Sequence, residues 1–386
     1  MTATPTADAP LAGVRILDLS RLLPGGACTR LLGDLGAEII KVERPGVGDD
    51  VRHEQPMLVD GVSAVHQFLD AGKRSVALDL KDPDDAATAL ALAQRCDAVL
   101  ESFRPGVAAR LGLGYDDVAA RNPAAVYVSL TGYGQTGPRA AAAGHDLDYC
   151  GYAGVLATVG TDDGAPAMSG VLTADMTGGT LAATAILAGI IRARTSGVGG
   201  HVDLALQEAA HWALALPTAQ HLVDGSTWAP GQGMLNGALP CYRIYACADG
   251  RHLAVAALEQ RFWARLVALL EREDLVDRRT DRAAIDELAA HFAARPRHEW
   301  LALLEHEDTC VAPVNTLADA VVDEHLTARD VLVDVEGEGW RQRQPGCPVR
   351  FQDRDVERAT APVLGADTDW ARTLIDQEPP RAPGPA

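Results

Sequence analysis

The feature that most constrains this chain is the alternation, through its N-terminal half, of short apolar runs rich in β-branched residues with helical stretches. VRILDLS (residues 14–20) is followed by a turn, LLPGG, a helical stretch to Leu35, a stop at Gly36 and a second strand, EIIKVE. The pattern recurs as SVALDL (residues 75–80), a helix from about Asp82 to Gln94, the strand DAVLESF, a helix through VAARLGLGYDDVAARN and the strand AVYVSLTGYG. Parallel strands require crossovers, and helical crossovers cover both faces of the sheet they connect. The N-terminal half is therefore expected to be an α/β fold.

At 386 residues the chain exceeds one ordinary domain, so two lobes are expected. After Asp175 an Ala- and Leu-rich helix runs to near Arg194, SGVGG stops it, and a further helical stretch is expected from about Val202 to Val223. GSTWAPGQGMLNGALP, dense in Gly and Pro, reads as a boundary. Beyond it, YRIYACADGRHLAVAAL predicts a hairpin turning at ADG, followed by helices through His306. The first ten residues read as a loose tail and the last eleven, DQEPPRAPGPA, as disordered. There are no internal repeats.

With 47% hydrophobic and 23% charged residues the balance is that of a folded protein. A formal charge of -19 argues against nucleic acid or an anionic membrane as the main partner. A small polyanion needs only a local cluster of Arg and Lys. The seven cysteines are scattered and form no C-x-x-C pair, which predicts neither a disulfide framework nor a zinc site and points to a reducing cytoplasm. MTGGTLAATAILAGII is short of a bilayer span and reads as a buried core helix.

LLPGGACTRLLG contains neither G-x-G-x-x-G nor a Walker lysine, so a dinucleotide or P-loop reading is weak. Basic residues just after strand ends are more informative, because open α/β sheets bind ligands there. Arg44, Lys73, Arg74, Arg104 and Arg110 are candidates for holding a phosphorylated ligand, with solvated surface cations as the alternative. His145, in AAAGHDLDYCGYAG, stands where a helix opens, and free N–H groups there can stabilise an oxyanion beside a proton-exchanging imidazole. Asp175 heads the long helix, either as a cap or as a carboxylate that Gly178 and Gly179 let a ligand or a second backbone approach. Glu259 either starts a helix or orients a histidine. His201, His211 and His221, ten apart, share no helical face and are not read as metal ligands.

Taken in order, PLAGVRILDLS, LLGDLGAEIIKVERPG, GKRSVALDLK, ESFRPGVAARLGLG, SLTGYGQTGP, GHDLDY, ADMTGGTLAA and YACADGRHLAVAALE resemble the family III coenzyme A transferases and, within that group, the α-methylacyl-CoA racemases. The resemblance runs from about residue 10 to 265. It implies a Rossmann-like large domain (residues 1–205), a connecting helix and linker (206–234), a smaller α+β domain (235–325), a return to the large domain (326–386) and an interlocked homodimer in which each site uses both subunits. Coenzyme A would enter as part of an acyl-CoA substrate, with no separate cofactor and no metal. It would lie along Arg44, Lys73, Arg74, Leu78, Asp79, Leu80, Lys81, Ser102, Phe103, Arg104 and Arg110, with Gly144, Asp146, Tyr149 and Tyr242 at the thioester end.

The racemase branch carries a His, an Asp and a Glu that His145, Asp175 and Glu259 match. The resemblance then implies that His145 and Asp175 flank the α-carbon, that the N–H near Asp146 holds the enolate oxygen, and that Glu259 orients His145. Transferases use the aspartate as a nucleophile that forms an acyl anhydride, and usually lack the histidine. Val171 departs from the racemase wording, which has Asn at that place. An acyl-CoA-binding protein without turnover is the third reading.

Overall fold

The computed structural model describes residues 8–58, 61–160, 164–352 and 359–377. Of the expected tail at residues 1–10, residues 1–7 lie outside them, and of the expected disorder at residues 376–386, residues 378–386 do, whereas Asp376 ends a helix. The chain divides into two compact units, one of Met1–Ala153, Val171–Ala213 and His325–Ala386, the other of Gly154–Gly170 and Leu214–Glu324.

The first unit opens with β1 (Arg15–Leu19), α1 (Leu22–Asp34), β2 (Glu38–Glu43), α2 (Ala64–Leu69), β3 (Arg74–Ala77), α3 (Pro83–Ala93) and β4 (Ala98–Glu101). It continues through α4 (Val107–Arg110), α5 (Tyr115–Arg121), β5 (Val126–Thr131), α6 (Asp146–Ala153), α7 (Thr173–Ser196), β6 (Gly200–Ala205) and α8 (Leu206–Trp212). The six strands form one parallel sheet in the order β3-β2-β1-β4-β5-β6. Strands covered on both faces need continuous apolar runs, and β4 and β5 are buried along their whole length. The α/β expectation is met. Strand order reverses between β1 and β4, which leaves a crevice beyond their C-terminal ends.

Three local expectations are corrected. LLPGG is the first turn of α1, where a Cβ on Gly25 would lie 2.0 Å from Ser20 Oγ, so the glycine serves packing. The helix expected through VAARLGLGYDDVAARN breaks into α4 and α5 at Gly112, whose φ is 69°. HVDLA is not helical but forms β6, in which the exposed His201 and Asp203 alternate with the half-buried Val202 and Leu204.

Helix α7 packs its Ala174, Gly178, Ala182, Ile186 and Ile190 face against α1, α8 and β5. It ends on Gly197 in the left-handed region, as the SGVGG stop predicts. By length and composition alone it is long and apolar enough to cross a membrane.

In the second unit α9 (Ala215–Asp224) precedes β7 (Tyr242–Ala246) and β8 (His252–Ala256), the hairpin predicted to turn at ADG. Then come α10 (Gln260–Leu269), α11 (Ala284–Phe292), α12 (Arg297–Leu304), β9 (Val311–Pro313), which pairs with β8, and α13 (Leu317–Ala320). Its core centres on Trp263, Trp300, Phe292 and Tyr245, and both indole N–H groups donate to backbone oxygens. The chain returns to the first unit through α14 (Glu324–Ala328), the hairpin β10 (Leu332–Gly337) and β11 (Trp340–Pro345), and α15 (Thr368–Asp376), which packs on α3 and β3.

Candidate active site

Beyond the ends of β1, β4 and β5 lies a cleft of about 770 Å³. Residues 21–24 after β1, 102–105 after β4 and 130–133 at the end of β5 line it, with Gly144, His145, Tyr149 and Asp175. Polar contacts hold these loops in place. Leu22 sits at φ 62°, a costly conformation for leucine, and its N–H is shared by the two Asp49 carboxylate oxygens at 3.3 Å. The Arg21 N–H donates to Ser102 Oγ at 3.0 Å and the Phe103 N–H to Glu101 Oε2 at 2.7 Å. Burial lifts the Glu101 carboxyl above its ordinary value.

Two lysines and three aspartates pack together beneath the cleft. Lys41 Nζ lies 2.8 Å from Asp49, and Lys73 Nζ lies 2.7 Å from Asp70 and 3.3 Å from Asp18, all of them buried. Burial acts to raise Asp18 and Asp70, yet Lys41 and Lys73 hold both carboxyls below the usual range. Charges so placed are anchored to one another, because leaving any one of them unpaired costs roughly 3–5 kcal/mol.

His145 and Asp175 meet at the same cleft from two helix starts. His145 immediately precedes α6, and its N–H donates to Asp148 Oδ2 at 3.0 Å. Asp175 is the third residue of α7. Neither the imidazole nor the Asp175 carboxyl has a hydrogen-bond partner among the described residues, so both are available to a ligand. Burial first, and the neighbouring Asp146 carboxylate second, push the Asp175 carboxyl up to about 6, while His145 pulls the other way. The N–H groups of Asp146 and Leu147, first in α6, have no acceptor within the helix. Tyr149 closes the turn by donating its hydroxyl to the Gly144 carbonyl.

The residues expected along coenzyme A fall into separate places. Ser102, Phe103 and Arg104 line the cleft, and Arg104 has no carboxylate partner among the described residues. Leu80, Lys81 and Arg110 line a second groove of about 400 Å³ on the same unit. Asp79 shapes its rim, accepting the Lys81 N–H at 3.1 Å, whereas Leu78 is core. Arg44 is exposed and pairs with Asp50 at 2.8 Å.

Two cations are corrected. Lys73 is spent inside the buried cluster, and Arg74 is held by Glu38 at 2.7 Å, by Asp367 at 2.9 Å and by the face of Trp370 at 3.9 Å. Neither lines the cleft or the second groove. Glu259 and Tyr242 belong to the second unit, Glu259 exposed ahead of α10 and Tyr242 opening β7.

Sequence reasoning missed Arg21 and Asp50, which pair at the cleft wall, and Tyr133, which lines it. It also missed Thr131, a buried cleft residue whose hydroxyl has no partner among the described residues. Asp18 and Lys41, charges inside otherwise apolar strands, were the signal for the cluster beneath.

Comparison with known proteins gives the family of the chain. The model of CoA-transferase family III matches residues 11–368. Succinyl-CoA:glutarate CoA-transferase of Mus musculus is 33% identical over 366 residues, covering 92% of this chain and 84% of the relative. The α-methylacyl-CoA racemase of Homo sapiens is also 33% identical, over 365 residues, covering 92% and 86%. A crystal structure of a CAIB/BAIF family protein from Brucella suis superposes with a TM-score of 0.82 at 30% identity, over 95% of this chain and 100% of that one. A match along nearly the whole chain, on a sheet whose switch point opens onto His145 and Asp175, makes this protein a member of CoA-transferase family III.

Proposed function

We propose that this protein is an isomerase that inverts the α-carbon of 2-methylacyl-CoA thioesters by two-base proton transfer through an enolate. The observation that carries the reading is the pair of unpartnered proton carriers, His145 and Asp175, on one cleft. One takes the α-proton, and the C–H electron pair moves onto the thioester oxygen as an enolate. The other then gives a proton to the opposite face of the carbon. The free N–H groups at the start of α6 supply donors and a favourable dipole for the enolate oxygen. A carboxyl lifted to about 6 has both its protonated and ionised forms at hand near neutrality, which suits proton transfer better than nucleophilic attack.

Arg104 in the cleft, with Lys81 and Arg110 in the second groove, offers the cations that the phosphates of an acyl-CoA require. The active form is a homodimer, a reading supported by helix α9, which has no buried residue and exposes Leu216, Leu222 and Val223. All seven cysteines are free thiols, which fits a cytoplasmic setting.

A second reading is favoured by the succinyl-CoA:glutarate relatives and by Val171. In it the Asp175 carboxylate attacks the thioester carbonyl, CoA leaves as the thiolate, and an acyl anhydride forms. His145→Ala separates the two. Racemisation of a pure 2-methylacyl-CoA epimer, followed by chiral chromatography, is expected to fall at least about 100-fold. Undiminished turnover in that variant, as CoA transfer to a free acid, would reject the isomerase reading.

A further inference from the structure

The side chain of Asp146 joins the two helix starts that carry the proton carriers. Its Oδ1 accepts the N–H of Ala174 at 2.7 Å and the N–H of Asp175 at 3.1 Å, and its Oδ2 lies 3.6 Å from the Cys150 thiol. Ala174 and Asp175 are the second and third residues of α7, where N–H groups lack acceptors within the helix. Leu172, the residue ahead of α7, provides no side-chain cap. Asp146, 28 residues before Ala174, caps that helix from the first position of α6. A single carboxylate therefore ties the backbone next to His145 to the backbone of Asp175.

Two-base chemistry makes this tie matter. The carriers must stand on opposite faces of one carbon, and small errors in placement are costly in rate. Because neither side chain has a hydrogen-bond partner of its own among the described residues, the backbone has to set their separation. Asp146 also adds a like charge. Two N–H donors face its carboxylate, among the described residues none faces that of Asp175, and a like charge so close favours the protonated form of the Asp175 carboxyl. The charged and titratable groups facing Asp175 from the neighbouring elements are Asp146 and His145 of the α6 start and Tyr149 and Cys150 of α6, with Arg104 of the β4 loop on the same wall.

We infer that the Asp146 carboxylate is the positioning residue of the reaction, locking the first turn of α7 to that of α6 and keeping a proton available on Asp175. The inference rests on the two-base reading for its catalytic meaning. Its electrostatic and structural parts separate by substitution: Asp146→Asn keeps an oxygen for the two N–H groups and removes the charge, whereas Asp146→Ala removes both.

The experiment is a 13C NMR titration of aspartate-labelled full-length protein, with Asp175→Asn identifying the Asp175 resonance. It is run beside the pH profile of acyl-CoA α-proton exchange. In Asp146→Asn the Asp175 midpoint is expected to move down by about 1 pH unit, and the acid limb of kcat is expected to move with it while KM changes little. Asp146→Ala is expected to lower kcat further. An unmoved Asp175 midpoint in Asp146→Asn overturns the inference, as does a wild-type pH profile in that variant. If the wild type exchanges no α-proton, the two-base reading fails by itself, and the titration still decides whether Asp146 governs Asp175.

Discussion

Asp175 stands half-buried on the third residue of α7 with another carboxylate beside it, and the fold bears the consequence. In the unfolded chain the carboxyl titrates at its ordinary 3.8, against about 6 in the native protein. Between those values the native state binds more protons than the unfolded state, so stability falls as pH rises through that window. Above it the ionised carboxylate is a standing cost. Asp175→Asn removes that cost. After discounting for the solvent that reaches the group, the variant is expected to be more stable by about 1 kcal/mol near pH 8 and to show no gain near pH 4. Urea unfolding at the two pH values checks this, and equal stability near pH 8 would contradict it. The same neighbourhood shows what local sequence conceals. Asp146 follows the histidine in GHDLDY and reads as a helix opener, but its two N–H partners lie 28 and 29 residues on.

Helix α7 brings Asp175 to the cleft through close contact with α1 and α8, and its glycines set that contact. A Cβ on Gly179 would meet the Pro24 carbonyl oxygen at 2.5 Å, which is backbone at the cleft wall and cannot step aside. A Cβ on Gly178 would meet only the end of the Leu206 side chain, at 2.3 Å, which can change rotamer. Gly179→Ala is therefore expected to cost about 2–3 kcal/mol and Gly178→Ala about 1 kcal/mol or less, as read by chemical denaturation. Equal costs would show that the α1 contact is not the tight one.

From sequence, the glycine pair reads as room for a ligand or a second backbone beside the carboxylate. The second backbone is what the structure contains. Strands β1 to β5 were legible because long apolar runs must be covered on both faces. Strand β6 was not, because six residues between two helical stretches carry too short an alternation to separate period two from period 3.6.

For the molecule as a whole, strand order does the assembling: residues from position 21 to position 206 converge on one cleft because β1 and β4 are neighbours at the switch point. The cleft was legible wherever its residues fall just after a strand, as with residues 102–104. Cations were legible only as cations. Arg74 looks like a phosphate ligand until Asp367, 293 residues away, is seen to hold it, and no local pattern encodes a partner at that distance.

In the proposed reaction the cleft moves a proton on and off the α-carbon. The most direct test is incubation of a single 2-methylacyl-CoA epimer with the protein in deuterated water, with mass and stereochemistry of the thioester followed together. The expected result is both epimers, with one solvent deuterium at the α-carbon of the inverted product. Retention of the starting epimer without label, together with a hydroxylamine-trapped acyl group on Asp175, would contradict it.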